Sequence, residues 1–289
     1  MDDFIKKLKD SNQETNLLDT LTSNELAAYK EYPFENTFQG GENFGEVVAL
    51  GDSWFDYPIG TDIIDCLRVR HDMTIINLSR FGDTLENMIL GNSIDNNGVL
   101  ITAKIHQATR KINHHNSKIF LFSGGGNDIV DENLNQFINH SSISKILLRD
   151  ITVNYIFNTV FKNYLENMIN IFSEKCPNTK IFMHGYGYAQ ATGKGAGILW
   201  LNVSGPWILP YLLKKGIGEQ NGNSLIKELI DAYNNLLADL DRKYTNFIYI
   251  DLRKIITVQD WSNELHLKNS AYANVADEIH KIIKTTNLL

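Results

Sequence analysis

The sequence predicts a doubly wound α/β domain, in which helices cover both faces of a mainly parallel, five-stranded sheet. Five apolar runs of strand length are each followed by a polar turn, and longer segments with helical spacing lie between them. Strands that are apolar on both faces and alternate with helices are joined by right-handed crossovers. The result is a parallel sheet that is buried on both sides.

The five predicted strands are spread over the chain, at residues 47–50, 74–78, 118–122, 180–183 and 246–250. Apolar residues recur at helical spacing over 160–172 and again over 225–240. In open sheets of this kind, ligands bind beyond the carboxyl ends of the strands. We therefore expect the polar residues that follow the strands to share one rim, namely Ser53, Gly82, Asn127, His184 and His266.

The turn after the first strand contains Gly51, Asp52 and Ser53. These residue types are common in any turn, so the triplet alone distinguishes poorly between a structural turn and a hydrolase nucleophile. Asp52 is expected to brace the turn, and Ser53 is the candidate nucleophile.

Four motifs follow one another along the chain: GDSWFDYP at 51–58, SRFGDT at 79–84, GGGND at 124–128 and NELH at 263–266. In these blocks, their order and their spacing, the chain resembles the SGNH or GDSL hydrolases from residue 46 to its end. The resemblance implies a flavodoxin-like three-layer fold and an ester-hydrolysing serine.

The resemblance also implies a role for each block. Ser53 is the expected nucleophile and His266 the base that takes its proton. The backbone N–H groups of Ser53 and Gly82 and the side-chain amide of Asn127 are the expected oxyanion hole. Read singly, Gly82 is better explained by a simple turn, and Asn127 by the cap of a helix beginning near Ile129; the context of the four blocks favours the catalytic roles.

One position departs from the family pattern, because Asn263 stands where an aspartate usually precedes the histidine by three residues. An asparagine oxygen can orient an imidazole, but it cannot stabilise the imidazolium with a full charge. Three explanations stay open at this point: Asn263 orients His266 by itself, Asp260 or Glu264 supplies a carboxylate, or the site is catalytically weak.

The segment 185–223 is longer than the usual strand-to-helix loop of about 2–6 residues. Its apolar and aromatic content suits an acyl chain or a lipid interface, and it is also compatible with a short helix packed on the body of the domain. Tyr186 and Trp207 are candidates to line the substrate pocket, together with His184 just before them. For His184 the alternative is a polar residue satisfied at a strand end.

Composition and missing motifs narrow the function further. The sequence has no G-x-S-x-G elbow, H-E-x-x-H, paired C-x-x-C or P-loop, so we expect neither a metal nor a cofactor. A net charge of −7, from 27 basic and 34 acidic residues, favours neither nucleic acid nor an anionic membrane as a partner. Without a signal peptide or an apolar span, a cytoplasmic location is predicted, and secretion without a cleaved signal is also compatible.

The chain is predicted to comprise a polar N-terminal extension, residues 1–44, and a hydrolase domain, residues 45–289. Cys66 and Cys176 are expected on opposite faces of the sheet and therefore unpaired. Two other function classes stay open. One is a phosphate- or nucleotide-binding protein that uses Ser53, Thr84 and the glycine loop 124–126. The other is a catalytically degenerate binding module, for which Asn263 is the best argument.

Overall fold

Five strands form one parallel sheet in a computed structural model that describes residues 46–91, 103–198 and 201–286. The predicted N-terminal extension, 1–44, lies outside the described residues. The strands are β1 Val47–Leu50, β2 Ile75–Asn77, β3 Ile119–Phe122, β4 Lys180–His184 and β7 Phe247–Ile250, with β5 Ala196–Ile198 and β6 Leu201–Ser204 forming a separate antiparallel pair.

Nine α-helices are assigned within the described ranges: α1 Ile63–His71, α2 Leu85–Ile89, α3 Lys104–His115, α4 Leu134–Phe137, α5 Asp150–Tyr155, α6 Lys162–Lys175, α7 Leu209–Lys214, α8 Glu219–Lys243 and α9 Asn269–Thr285. A π-helical turn, Ile156–Phe161, joins α5 directly to α6. Short 3₁₀ turns occupy Asp131–Asn133 and Val258–Asp260.

The order of the main sheet is β2-β1-β3-β4-β7, and every neighbouring pair is parallel. All four residues of β1 and of β3 are buried, because these strands lie inside the sheet and helices cover both of its faces. This confirms the predicted fold class, and all five predicted strands are present.

The helices form two groups. α1 packs on α9, whereas α3 packs on α6 and α8 packs on the π-helical turn before α6. Cys66 lies in α1, and the Cys176 sulfur lies 3.6 Å from Asn113 Oδ1 of α3, so the two free thiols belong to different helix layers. α8 carries the predicted apolar stripe, with eight of its predicted positions buried: Leu225, Ile226, Leu229, Ile230, Tyr233, Leu236, Leu237 and Leu240.

The long segment after β4 contains the β5–β6 pair, α7 and the start of α8. Ile208 and Leu212 are buried, so the region around α7 packs on the body of the domain. Leu199 and Trp200 lie outside the described residues. The segment therefore combines a small added sheet with the packed helix that the sequence suggested.

Candidate active site

Ser53 is presented by the tight turn that follows β1. Gly51 is required there, since a Cβ at this position would lie 2.8 Å from the Ser123 Cβ and 2.9 Å from the Phe55 ring. The chain then turns back, with the amides of Phe55 and Asp56 donating to the Asp52 carbonyl at 3.1 Å each. A serine directly beyond the end of β1 is thereby held on the carboxyl rim of the sheet.

The buried carboxylate of Asp52 braces this turn. Its Oδ1 accepts the Trp54 amide at 3.0 Å and the Ser123 hydroxyl at 2.8 Å, and its Oδ2 accepts the Tyr186 hydroxyl at 2.7 Å. Tyr186 in turn accepts the Gly126 amide at 3.2 Å. Asp52 therefore ties together the exits of β1, β3 and β4, as a bracing residue would.

The base is His266, whose Nε2 lies 2.9 Å from the Ser53 Oγ. Its Nδ1 lies 3.1 Å from Asn263 Oδ1, and this same oxygen accepts the amides of Leu265 at 3.0 Å and His266 at 2.8 Å. Because two backbone amides donate to that atom, it is the amide oxygen, and His266 Nδ1 must carry the proton in order to bond to it. Nε2 is left as the acceptor for the serine hydroxyl.

Aromatic rings enclose His266. The Tyr57 ring stacks on the imidazole with centroids 4.1 Å apart, the Trp207 ring meets it edge-on at 5.4 Å, and the Tyr57 hydroxyl accepts the Asn263 side-chain amide at 3.3 Å. The imidazole is only 1% exposed, and this burial lowers the pKa of His266 to about 3. The ring is therefore neutral at pH 7, which is the form that can accept a proton.

Neither of the two acids suggested as carboxylate support is bonded to His266 in the described residues. The Asp260 carboxylate accepts the amide and hydroxyl of Thr257, both at 2.7 Å, and closes a capping box. Glu264 is fully buried and accepts four backbone amides from residues 193 to 209. Both carboxylates are occupied by other donors, so the geometry does not support Asp260 or Glu264 as the carboxylate, and the other two explanations stay open.

Of the three residues predicted to form an oxyanion hole, Ser53 and Asn127 line one cavity, and Gly82 lies in the loop after β2. Gly82 has φ +78°, and a Cβ there would meet nothing within 4 Å, so its backbone is open to an approaching ligand. The Arg80 amide donates to the Gly51 carbonyl at 3.0 Å, which holds this loop beside the nucleophile turn. In the described part of the chain, the amides of Ser53 and Gly82 have no acceptor, as an oxyanion hole requires before substrate binds.

Asn127 lines the same pocket as Ser53. Its side-chain nitrogen donates to the Asp83 carbonyl at 2.9 Å, which fixes the amide and leaves the second N–H of the group for another acceptor. A helix cap would accept a bond instead of donating one, and the next helical turn, Asp131–Asn133, has Val130 as its N-cap. The capping interpretation of Asn127 is therefore wrong.

A cavity of about 50 Å³ opens beside Ser53. Tyr186 is part of its wall, and Trp207 instead contacts His266. Ser53 and Asn127 lie at its polar end, and most of its wall is apolar, formed by residues such as Ile129, Val130, Ile208, Ile226, Leu229 and Ile230.

His184 does not line this cavity, contrary to its candidacy as a substrate-lining residue. It is 1% exposed and stacks on the Trp54 ring at 5.2 Å, and its Nδ1 is bonded to the Gly185 carbonyl at 2.7 Å. His184 is the last residue of β4, and its ring lies against the Trp54 ring. Burial lowers the pKa of His184. The alternative of a satisfied polar residue at the strand end fits only in part, because Nδ1 is bonded whereas the buried Nε2 has no hydrogen-bond partner in the described residues.

Two contributors to the site were not singled out from the sequence. Tyr57 lies inside the first motif, in which Ser53 is the candidate nucleophile. Its contact with His266 depends on the fold, so the motif alone does not indicate it. Ser123 directly follows β3, a position at which a polar residue on the active rim is expected. The position of Ser123 directly after a predicted strand was therefore enough to predict that it lies on the active rim.

The fold has counterparts among solved structures. A lipase from a goat rumen metagenome matches with a TM-score of 0.52 at 12% identity, covering 82% of this chain and 96% of that chain. Phospholipase A1 from Streptomyces albidoflavus gives 0.47 at 11% identity, over 83% and 98% of the two chains. A family 3 carbohydrate esterase from Clostridium thermocellum gives 0.46 at 14% identity, over 84% and 98%.

No protein-family model and no curated protein matches this sequence. The match to the goat rumen lipase, with a TM-score above 0.5, is a likeness of fold alone: a parallel sheet with flanking helices. Within the described ranges no helix is long and apolar enough to cross a membrane, and the described residues hold no His, Cys, Asp or Glu cluster suited to a metal ion.

Proposed function

We propose that this protein is a serine hydrolase that cleaves carboxylic esters through a Ser53–His266 dyad oriented by Asn263. The observation that carries the proposal is the 2.9 Å contact between Ser53 Oγ and His266 Nε2, with Asn263 holding the proton on the opposite ring nitrogen. A nucleophile bonded to a base that is itself oriented by a third group is the arrangement that covalent acyl transfer requires.

In the first half of the reaction, Ser53 Oγ attacks the ester carbonyl carbon while His266 Nε2 takes the hydroxyl proton. The carbonyl oxygen becomes an oxyanion, for which the amides of Ser53 and Gly82 and the side chain of Asn127 are the proposed donors. His266 then returns the proton to the leaving alcohol as the carbon–oxygen bond breaks. A water activated by His266 hydrolyses the acyl-serine in the second half.

Asn263 determines how fast we expect the proposed reaction to be. Its oxygen fixes the tautomer and orientation of His266, but the neutral amide gives the transient imidazolium no compensating charge. We therefore expect a working but slow enzyme. Asn263 is also the observation that favours the second candidate, an SGNH-fold binding protein that no longer turns over ester.

The phosphate-binding alternative is weakened by the packing of the glycine loop 124–126. A Cβ on Gly124 would lie 2.7 Å from Met88, and one on Gly125 would lie 2.5 Å from the Tyr233 hydroxyl. The Gly126 amide is already bonded to Tyr186. These glycines allow side chains to pack closely on the loop, whereas a phosphate cradle needs open amides.

A fluorophosphonate probe tests the proposal, because it reacts with an activated serine and forms a stable adduct. We expect labelling at Ser53, mapped by peptide mass, and hydrolysis of p-nitrophenyl acetate, with both lost in Ser53→Ala. Ser173→Ala, in α6 and bonded to the Ile169 carbonyl, is the matched serine control. Folded protein with neither labelling nor hydrolysis would refute the enzyme and leave the binding module.

The remaining sequence predictions extend the proposal. We propose a small ester or acylated compound as the substrate, no nucleic-acid partner, and a cytoplasmic location. Hydrolysis profiling across acylated sugars, thioesters and simple esters, with Ser53→Ala as the blank, would identify the leaving group that the site prefers.

A further inference from the structure

The fully buried carboxylate of Glu264 is saturated by backbone amides. Its Oε1 accepts Gly193 and Leu209 at 2.9 Å each, and its Oε2 accepts Trp207 at 2.6 Å and Ile208 at 2.7 Å. The Glu264 amide also donates to the Lys194 carbonyl at 3.2 Å. One residue of the loop that carries the base therefore holds both ends of the segment 193–209.

The chemistry of these donors explains why a charge is tolerated there. Leu209 is the first residue of α7, and the first amides of a helix have no partner within the helix. A carboxylate that accepts several backbone N–H groups makes strong, charge-assisted bonds and needs no lysine or arginine. Removing the carboxylate would leave the amides of Trp207 and Ile208 buried without this acceptor.

The residues held by Glu264 form part of the active site. The Trp207 ring meets the His266 ring edge-on at 5.4 Å, and Ile208, 1% exposed, is a wall of the cavity beside Ser53. Ile226, Leu229 and Ile230 of α8 contribute further apolar wall.

The size of that cavity limits what can enter. Its volume is about 50 Å³, about one third of an engineered apolar cavity of about 150 Å³ that binds benzene. The space therefore suits an acyl group of a few carbons, such as acetyl or propionyl, and a longer acyl chain would need a wall such as Ile208 to move. Four hydrogen bonds from Glu264 hold the segment that carries Ile208, so this wall does not move readily.

We propose that Glu264 is a positioning residue for substrate selection: by fixing segment 193–209 it holds Ile208 as the wall that restricts the enzyme to esters of short acyl chains. The inference rests on the proposed ester hydrolysis. It concerns the acyl group and not the leaving alcohol.

The test compares p-nitrophenyl acetate with p-nitrophenyl octanoate in wild type and Glu264→Gln. Glutamine keeps the size but offers one acceptor oxygen and turns an NH₂ group towards two amide donors, so the segment should loosen. Because a buried charged hydrogen bond has a large effect when lost, we expect the acetate-to-octanoate ratio of kcat/KM to fall about tenfold or more, mainly through KM. Asp260→Asn, which removes the nearby carboxylate that bonds to Thr257, should keep the wild-type ratio.

The outcomes separate the two proposals. Wild type that is neither labelled at Ser53 nor active on any ester refutes the enzyme itself. Active wild type with an unchanged ratio in folded Glu264→Gln, checked by thermal unfolding, overturns the role of Glu264. If that variant does not fold, Ile208→Ala is tested instead, because it enlarges the cavity with Glu264 intact. An acetate-to-octanoate ratio of kcat/KM that stays at the wild-type value in Ile208→Ala overturns the inference.

Discussion

The Ser53 hydroxyl and His266 Nε2 lie 2.9 Å apart, although 213 positions separate the two residues in the chain. The parallel sheet explains the meeting, since the exits of β1 and β7 open on the same edge. The Trp54 indole strengthens it by donating to the Leu265 carbonyl at 3.0 Å, which ties the nucleophile turn to the loop that carries the base. The dyad therefore depends on two adjacent anchored loops.

Asn127→Ala tests the oxyanion hole. Removing one donor from such a site lowers kcat by about 10²–10³-fold, because the bond matters most when charge develops on the carbonyl oxygen. We expect a loss of this size in kcat with little change in KM, measured by steady-state hydrolysis of p-nitrophenyl acetate. Asn158→Ala, an exposed asparagine in the π-helical turn, is the control and should match wild type. Unaltered kcat in Asn127→Ala would remove Asn127 from the oxyanion hole.

The sheet and its rim were predictable because they depend on local patterns. Buried strands show as apolar runs and α8 as a 3.6-residue stripe, and parallel topology then places their exits together. Ser53 and His266 could thus be placed on one rim from the sequence pattern, whereas Asn263 was identified only through the resemblance to the family motif. Their grouping needed no knowledge of which way any side chain points.

The parts that escaped prediction depend on side-chain direction and on contacts between distant segments. Glu264 stands next to Asn263, but its carboxylate turns towards the 193–209 segment, and nothing in the motif NELH records that choice. His184 ends β4 and faces the buried side beneath Trp54 instead of the cavity. The β5–β6 pair was missed because its strands, AGI and LNVS, mix apolar residues with glycine, asparagine and serine and form no continuous apolar run.

Asp52→Asn should destabilise the fold. The substitution removes the charge from a buried group that accepts three hydrogen bonds, and bonds to charged groups contribute about 1.5–3 kcal/mol each. We expect the free energy of unfolding in urea to fall by about 1.5–3 kcal/mol, the contribution of one such bond. Ser123→Ala, which removes one of the three bonds, should cost about 1 kcal/mol. Equal stability of Asp52→Asn and wild type would show that the network does not brace the turn.

Asn263→Asp should make the enzyme faster. An aspartate would keep the acceptor for His266 Nδ1 and add a negative charge that stabilises the imidazolium, and in serine proteases the reverse change costs about 10⁴-fold in kcat. The Tyr57 hydroxyl, now an acceptor for the Asn263 amide at 3.3 Å, can donate to the new carboxylate. We expect kcat for p-nitrophenyl acetate to rise by at least tenfold, about 1.4 kcal/mol of barrier. Lower kcat in folded Asn263→Asp would contradict the assigned role of residue 263.

The pH profile of kcat/KM should stay flat to unusually low pH. His266 acts as a base only when neutral, and burial lowers its pKa to about 3 from an ordinary 6.5. We therefore expect activity to be retained down to about pH 4 and lost near pH 3, and we expect Asn263→Asp to move this limb upwards because the carboxylate favours the imidazolium.

Stability must be followed in the same experiment. His266 is protonated near pH 6.5 in the unfolded chain but only near pH 3 in the folded protein. Between these values the unfolded state therefore binds one more proton than the folded state. As the pH falls through this window, the folded state loses stability. Thermal unfolding at each pH separates denaturation from titration. Burial also raises the pKa of Asp128 to about 7 and that of Asp131 to about 6, so either can produce a limb near neutrality, and Asp128→Asn and Asp131→Asn remove these two sources. A limb between pH 6 and 7 that persists in the folded double variant would show that the catalytic base titrates as an ordinary, exposed histidine.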